Sequence, residues 1–133
     1  MKPMENGCKV PTLQTSKTDG CKAAGGHFNP FSRSHGGPDD DARHVGDLGN
    51  IFTPEGAETT TIDIVDDIIT LFDDSEENIV SRTLVIHEGE DDLGEGGDEG
   101  SSKTGNAGSR VACGIVESRT RPKEQSCKIK ARS

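Results

Sequence analysis

The sequence predicts an all-β domain whose strands are separated by two long loops that carry the function. Two observations lead there. Of the 25 Leu, Ile, Val and Phe residues in this 133-residue chain, 14 fall within residues 51–86, where β-branched side chains are dense. The stretches Gly20–Asn50 and Glu88–Arg110 are rich in Gly and charged or imidazole side chains, with few aliphatics. Bulk composition points elsewhere: about 19% Leu, Ile, Val and Phe with a formal net charge of -9 is the signature of a disordered chain. A disordered chain has no reason to gather its apolar residues in one segment, so the clustering decides for a fold.

Taken in order, Met1 to Asp19 is polar and unpatterned and reads as a flexible leader. Gly20 to Asn50 is a long loop, punctuated by Asn29-Pro30, Gly36-Gly37-Pro38 and Gly49-Asn50. An irregular loop of this length inside a compact domain tends to be functional or tied by a metal. Thr59 to Phe72 satisfies both a helical and a strand period, but the run of Thr59, Thr60, Thr61, Ile62, Ile64, Val65, Ile68, Ile69 and Thr70 decides for strand, with a break at Asp66-Asp67. Asn78 to His87 is a second strand with a polar interruption at Ser81-Arg82-Thr83. Glu88 to Arg110 is the second loop, and Val111 to Val116 a third strand. From Glu117 the chain is charged and shows no period. The domain therefore covers 20–116, between the leader 1–19 and a basic tail 117–133.

Charge and hydropathy exclude several classes of function. No apolar run approaches the ~18 residues of a membrane helix, and Met1-Lys2-Pro3-Met4 opens no secretory core, so a cytoplasmic protein without a membrane partner is expected. The last 17 residues carry six basic and two acidic side chains. Without aromatic residues for stacking, and with the rest of the chain anionic, this tail does not make a nucleic-acid partner.

The chemistry concentrates in the first loop. His27, His35 and His44 fall within 18 residues, and Asp47 follows three residues after His44. Three imidazoles and a carboxylate suit tetrahedral zinc. The spacing His-x7-His-x8-His-x2-Asp is no common zinc-finger pattern, so on composition alone zinc ligation and idle, exposed histidines stand as alternatives.

The surrounding residues carry a resemblance. Gly20-Cys21, His27-Phe28-Asn29-Pro30, His35-Gly36-Gly37-Pro38 and Arg43-His44-Val45-Gly46-Asp47-Leu48-Gly49-Asn50 resemble the zinc loop of the copper/zinc superoxide dismutases. Leu84-Val85-Ile86-His87-Glu88, Asp91-Asp92-Leu93-Gly94 and Gly105-Asn106-Ala107-Gly108-Ser109-Arg110-Val111-Ala112-Cys113-Gly114 resemble, in order, that family's last copper ligand, electrostatic loop and closing strand. The resemblance implies a Greek-key β-sandwich or barrel, incomplete on its N-terminal side, with zinc and copper as cofactors and superoxide as substrate. It implies that His27 bridges the two metals, that His35, His44 and Asp47 complete the zinc site, and that His87 binds copper. Arg110 would hold the anionic substrate, Asp91 would orient metal-binding histidines from behind, Lys103 and Thr104 would line the channel, and Cys21 and Cys113 would form the disulfide.

The family's opening strands end in a His-x-His pair that supplies two further copper ligands, whereas residues 1–20 hold no histidine. The resemblance therefore leaves His27 and His87 for copper. It implies a homodimer, yet Glu117-Ser118-Arg119-Thr120-Arg121 replaces the apolar residues expected at the subunit contact. Cys8 and Cys127 match no family cysteine and read as free thiols. Dismutation of superoxide is the expected function; the alternative is a zinc-binding relative with impaired catalysis, or a truncated or alternatively spliced product.

Overall fold

The computed structural model describes residues 8–14, 21–118 and 127–132, the first and last of these segments as backbone only. Among the described residues there are six strands and one short helix: β1 (Cys8–Gln14), β2 (Ile51–Phe52), β3 (Thr61–Asp66), β4 (Thr83–His87), α1 (Glu99–Thr104), β5 (Arg110–Ile115) and β6 (Cys127–Arg132). They form a four-stranded sheet in the order β2-β1-β4-β5 and a two-stranded sheet β3-β6, with every pair antiparallel. The fold is all-β, as the sequence predicts, and its larger sheet is open. No helix among the described residues is long and apolar enough to cross a membrane.

The three predicted strands are present, the first two with shorter bounds and the third shifted by one residue, to Arg110–Ile115. The first ends at Asp66 because its carboxylate accepts the backbone N–H groups of Ile68 (2.9 Å) and Ile69 (3.0 Å), turning the chain out of the ladder. The second begins only at Thr83, because Arg82 N–H closes a turn on the Ile79 carbonyl (3.0 Å) and Ser81 adopts a positive φ of 66°.

Three elements correct the sequence reading. β1 lies in the stretch read as a flexible leader, and its ladder runs from Val10 opposite His87 to Gln14 opposite Thr83. β6 lies in the tail and pairs all along β3, from Cys127 opposite Asp66 to Arg132 opposite Thr61. Neither segment has the apolar run that marks a strand; pairing with β4 and β3 supplies what local propensity does not. Within the second loop, α1 forms because Asp98 caps it, accepting Ser101 N–H at 2.7 Å, and Gly105 ends it in the left-handed conformation. The side chains of Cys8 and Cys127, read as free thiols, lie outside those described.

The core explains how a long loop becomes rigid. One buried cluster joins Phe28, Val45 and Leu48 of the first loop to Ile69 and Ile79, while a second joins Ile51, Ile62 and Ile86. Each of the three loop residues directly follows a predicted ligand: Phe28 after His27, Val45 after His44, Leu48 after Asp47. Burial of each apolar side chain, about 1.5–3 kcal/mol apiece, thus fixes the neighbouring ligand. Arg43 adds an ionic tie, its guanidinium 2.7 Å from Asp66 with both side chains buried. It also donates to the Pro38 carbonyl at 3.0 Å.

Candidate metal centre

The first loop folds His27, His35, His44 and Asp47 into one buried group whose ligand atoms all lie within 4.8 Å of one another. Asp47 Oδ1 lies 2.8 Å from His27 Nδ1, 2.9 Å from His35 Nδ1 and 3.1 Å from His44 Nδ1. The Nδ1 atoms of His27 and His44 are 3.2 Å apart. Zinc bonds of about 2.0–2.1 Å in a tetrahedron set neighbouring ligand atoms about 3.3 Å apart. Four of the six spacings, 2.8–3.2 Å, are close to that value and all six lie within 4.8 Å, an arrangement that fits the ion. Exposed, idle histidines, the alternative left by composition, are excluded: all three are buried.

Asp47 is aimed by the backbone. Its Oδ2 accepts Gly36 N–H at 3.1 Å and His44 N–H at 2.8 Å, which leaves Oδ1 to the imidazoles. His35 is held at both ends, because its Nε2 lies 2.6 Å from Asp91 Oδ1. Burial disfavours the charged His35 ring, but its hydrogen bonds to Asp47 and Asp91 outweigh burial and push its pKa up to about 9. Burial raises the Asp47 carboxyl, yet bonds from His27, His35 and His44 outweigh that and hold it far below the usual carboxylate range. An ionised carboxylate facing three imidazoles suits a cation, and His27, His35, His44 and Asp47 are the residues that would hold zinc.

His27 also looks outward. Its Nε2 is buried and has no hydrogen-bond partner among the described residues. The His87 ring lies with its centroid 6.3 Å from that of His27. His87 Nδ1 donates to the Gly108 carbonyl at 3.0 Å, which puts the imidazole lone pair on Nε2. Burial lowers the His87 pKa, favouring the neutral ring that metals bind. A register shift between Ile86 and His87 brings Arg110 of β5 opposite His87, and bulges of this kind re-aim side chains beside functional sites. The Arg110 guanidinium donates to the Cys21 and Gly25 carbonyls. Next to it, Cys21 and Cys113 form a disulfide that ties the start of the first loop to β5.

A family profile described as copper/zinc superoxide dismutase matches residues 1–116. The chain belongs to the copper/zinc superoxide dismutase family. It is 52% identical over 99 residues to superoxide dismutase [Cu-Zn] 5 of Dictyostelium discoideum, covering 74% of this chain and 63% of that one. Copper/zinc superoxide dismutases of Yarrowia lipolytica (54% over 99 residues) and Talaromyces marneffei (53% over 100 residues) each cover 74% of this chain and 62% of their own length. The chain thus spans less than two thirds of these relatives. The family match starts at residue 1, ahead of Gly20, where the sequence resemblance begins.

The family's residues fall into two groups in this structure. His27, His35, His44 and Asp47 converge, Asp91 stands behind His35, and His87 and Arg110 stand together beside His27. Lys103 and Thr104 lie on α1, where Lys103 pairs with Glu99 and Thr104 bonds the Gly100 carbonyl. Sequence reading missed Asn50 and Gly105. The Asn50 amide brackets the Asp91 backbone, donating to its carbonyl (3.1 Å) and accepting its N–H (2.8 Å). Gly105, at φ 69°, passes so close that a Cβ there would stand 1.8 Å from Asp91 Oδ1. Both lie within motifs that carry the family resemblance, Asn50 at the end of one and Gly105 at the start of another, but no role was read for either.

Proposed function

We propose that this chain is a superoxide dismutase that turns two superoxide ions and two protons into oxygen and hydrogen peroxide. The observation that supports this most is the double role of His27: Nδ1 sits in the four-ligand cluster, while the buried Nε2 is left for a second metal beside His87. Zinc fits His27, His35, His44 and Asp47; the chain offers His27 and His87 to copper. Copper supplies the one-electron exchange with superoxide that zinc, which has no redox chemistry, does not.

The chain's own residues do the rest. His27 Nδ1, 2.8 Å from Asp47 Oδ1 where zinc would be held, sets the ring so that Nε2 is presented in one orientation, with Asp91 holding His35 and thereby the cluster. His87 is oriented by β4 and by the Gly108 carbonyl. On a chain of net charge -9, an anionic substrate needs a local cation. Arg110 supplies it at the register position opposite His87, tethered through two carbonyls so that its charge is held in place. A cytoplasmic location and the family's paired subunits belong to the same reading; exposed Val111 and Ile115 on β5 offer apolar surface for a second copy.

A second reading, a zinc-binding protein with impaired catalysis, is favoured by one observation. All four histidines of the chain are used in placing two at the copper position and three, His27 shared, at the zinc position. Superoxide consumption by protein loaded with zinc and then copper separates the readings. The dismutase predicts activity that follows bound copper and is lost in His87→Ala with zinc retained; inactivity of the copper-loaded chain leaves the zinc-binding reading.

A further inference from the structure

β4 ends at the copper position, and its two neighbours differ in what they bring there. His87 pairs with Arg110 of β5 on one side and with Val10 of β1 on the other. Thr12 follows two residues along β1, opposite Val85. Residues directly opposite each other in an antiparallel pair, and residues two apart on one strand, belong to the same face of a sheet. Val10 and Thr12 are therefore the β1 positions on the face of His87, and Lys9 and Pro11 belong to the other face. Valine has no ligand atom, and a neutral threonine hydroxyl is a poor substitute for the imidazole that suits copper. Copper(II) favours four nitrogen or oxygen ligands in a tetragonal array, and the chain's remaining two histidines, His35 and His44, lie in the zinc cluster.

We propose that Val10 and Thr12 determine how tightly this chain holds copper. β1 flanks β4 on the side opposite β5 and carries no imidazole at these two register positions, so the chain retains zinc and exchanges copper readily. This rests on the reading that copper lies between His27 and His87. The same register makes Val10 and Thr12 the two places where imidazoles would complete a four-nitrogen site.

The test uses the full chain loaded with zinc and titrated with copper(II) against a chelator of known affinity, with electron paramagnetic resonance to count coordinating nitrogens. The unmodified chain should show weak retention and two nitrogens. Val10→His/Thr12→His should raise copper affinity by more than the roughly 10–100-fold that an outer hydrogen-bond partner is worth at a metal site, and should show four. Lys9→His/Pro11→His, with the same spacing on the other face, should leave copper binding unchanged. Equal gains in the two double variants, or no gain in the first with zinc still bound, overturn the proposal. A measurement on the unmodified chain needs no variant to fold: copper(II) should broaden the amide resonances of Val10 and Thr12 together with that of His87. Broadening at His87 alone overturns the role of β1 and leaves the dismutase reading standing. Broadening at none of the three overturns both.

Discussion

The proposed zinc cluster and the proposed copper position share His27, yet they are supported in different ways. In the cluster, every ligand sits on an irregular loop, and side-chain contacts hold the network: Asp47 accepts two backbone N–H groups, His35 meets Asp91, and Asp91 is held by Asn50 and by Leu93 N–H at 2.8 Å. His87 stands on a strand paired on both sides, and a bond to the Gly108 carbonyl adds to its orientation. A ladder fixes a ligand through the backbone, whereas a loop has no ladder and must be fixed by a network. The loop half of the centre should therefore fail at single contacts that the strand half does not depend on.

The largest effect expected is from Asp47→Ala. Three buried imidazoles lose the carboxylate they converge on, so zinc should no longer be retained through gel filtration. Amide hydrogen exchange should rise across residues 27–50 while the β4–β5 ladder stays protected; equal loss of protection in both would break the comparison. Next is Arg43→Ala, which leaves the Asp66 carboxylate buried without its cation. Urea unfolding should report a loss of about 3–5 kcal/mol. Asn50→Ala removes both hydrogen bonds to the Asp91 backbone and should weaken zinc binding by about 10-fold, the lower end of what outer partners contribute, with the Cys21–Cys113 bond intact. Smallest is Lys103→Ala: its pair with Glu99 spans one exposed helical turn, so stability should change by only about 0.3–0.5 kcal/mol and zinc affinity not at all.

The same contrast governs how much could be read from the sequence. The candidate zinc ligands were legible because all four lie within one loop whose motifs resemble the family's, and β3, β4 and β5 because their β-branched runs outweigh their breaks. β1 was not: Pro11 sits in its middle, and proline marks an edge or a non-strand. It is tolerated because β2 pairs only with Cys8 and Lys9, leaving Pro11 paired on the β4 side alone. α1 was hidden by Gly100, Ser101 and Ser102, which are poor helix formers, and exists through its caps. The hold of Asn50 on Asp91 joins residues 41 apart; only the folded chain brings them together, so no local pattern announces it.

The central claim is that the first loop is a metal site of three imidazoles and one carboxylate. X-ray absorption at the zinc edge of the purified, zinc-loaded chain tests it most directly. The structure predicts three imidazole nitrogens and one oxygen at about 2.0–2.2 Å, with the signal lost in Asp47→Ala. Sulfur at about 2.3 Å, or zinc bound as well without Asp47 as with it, would contradict the account.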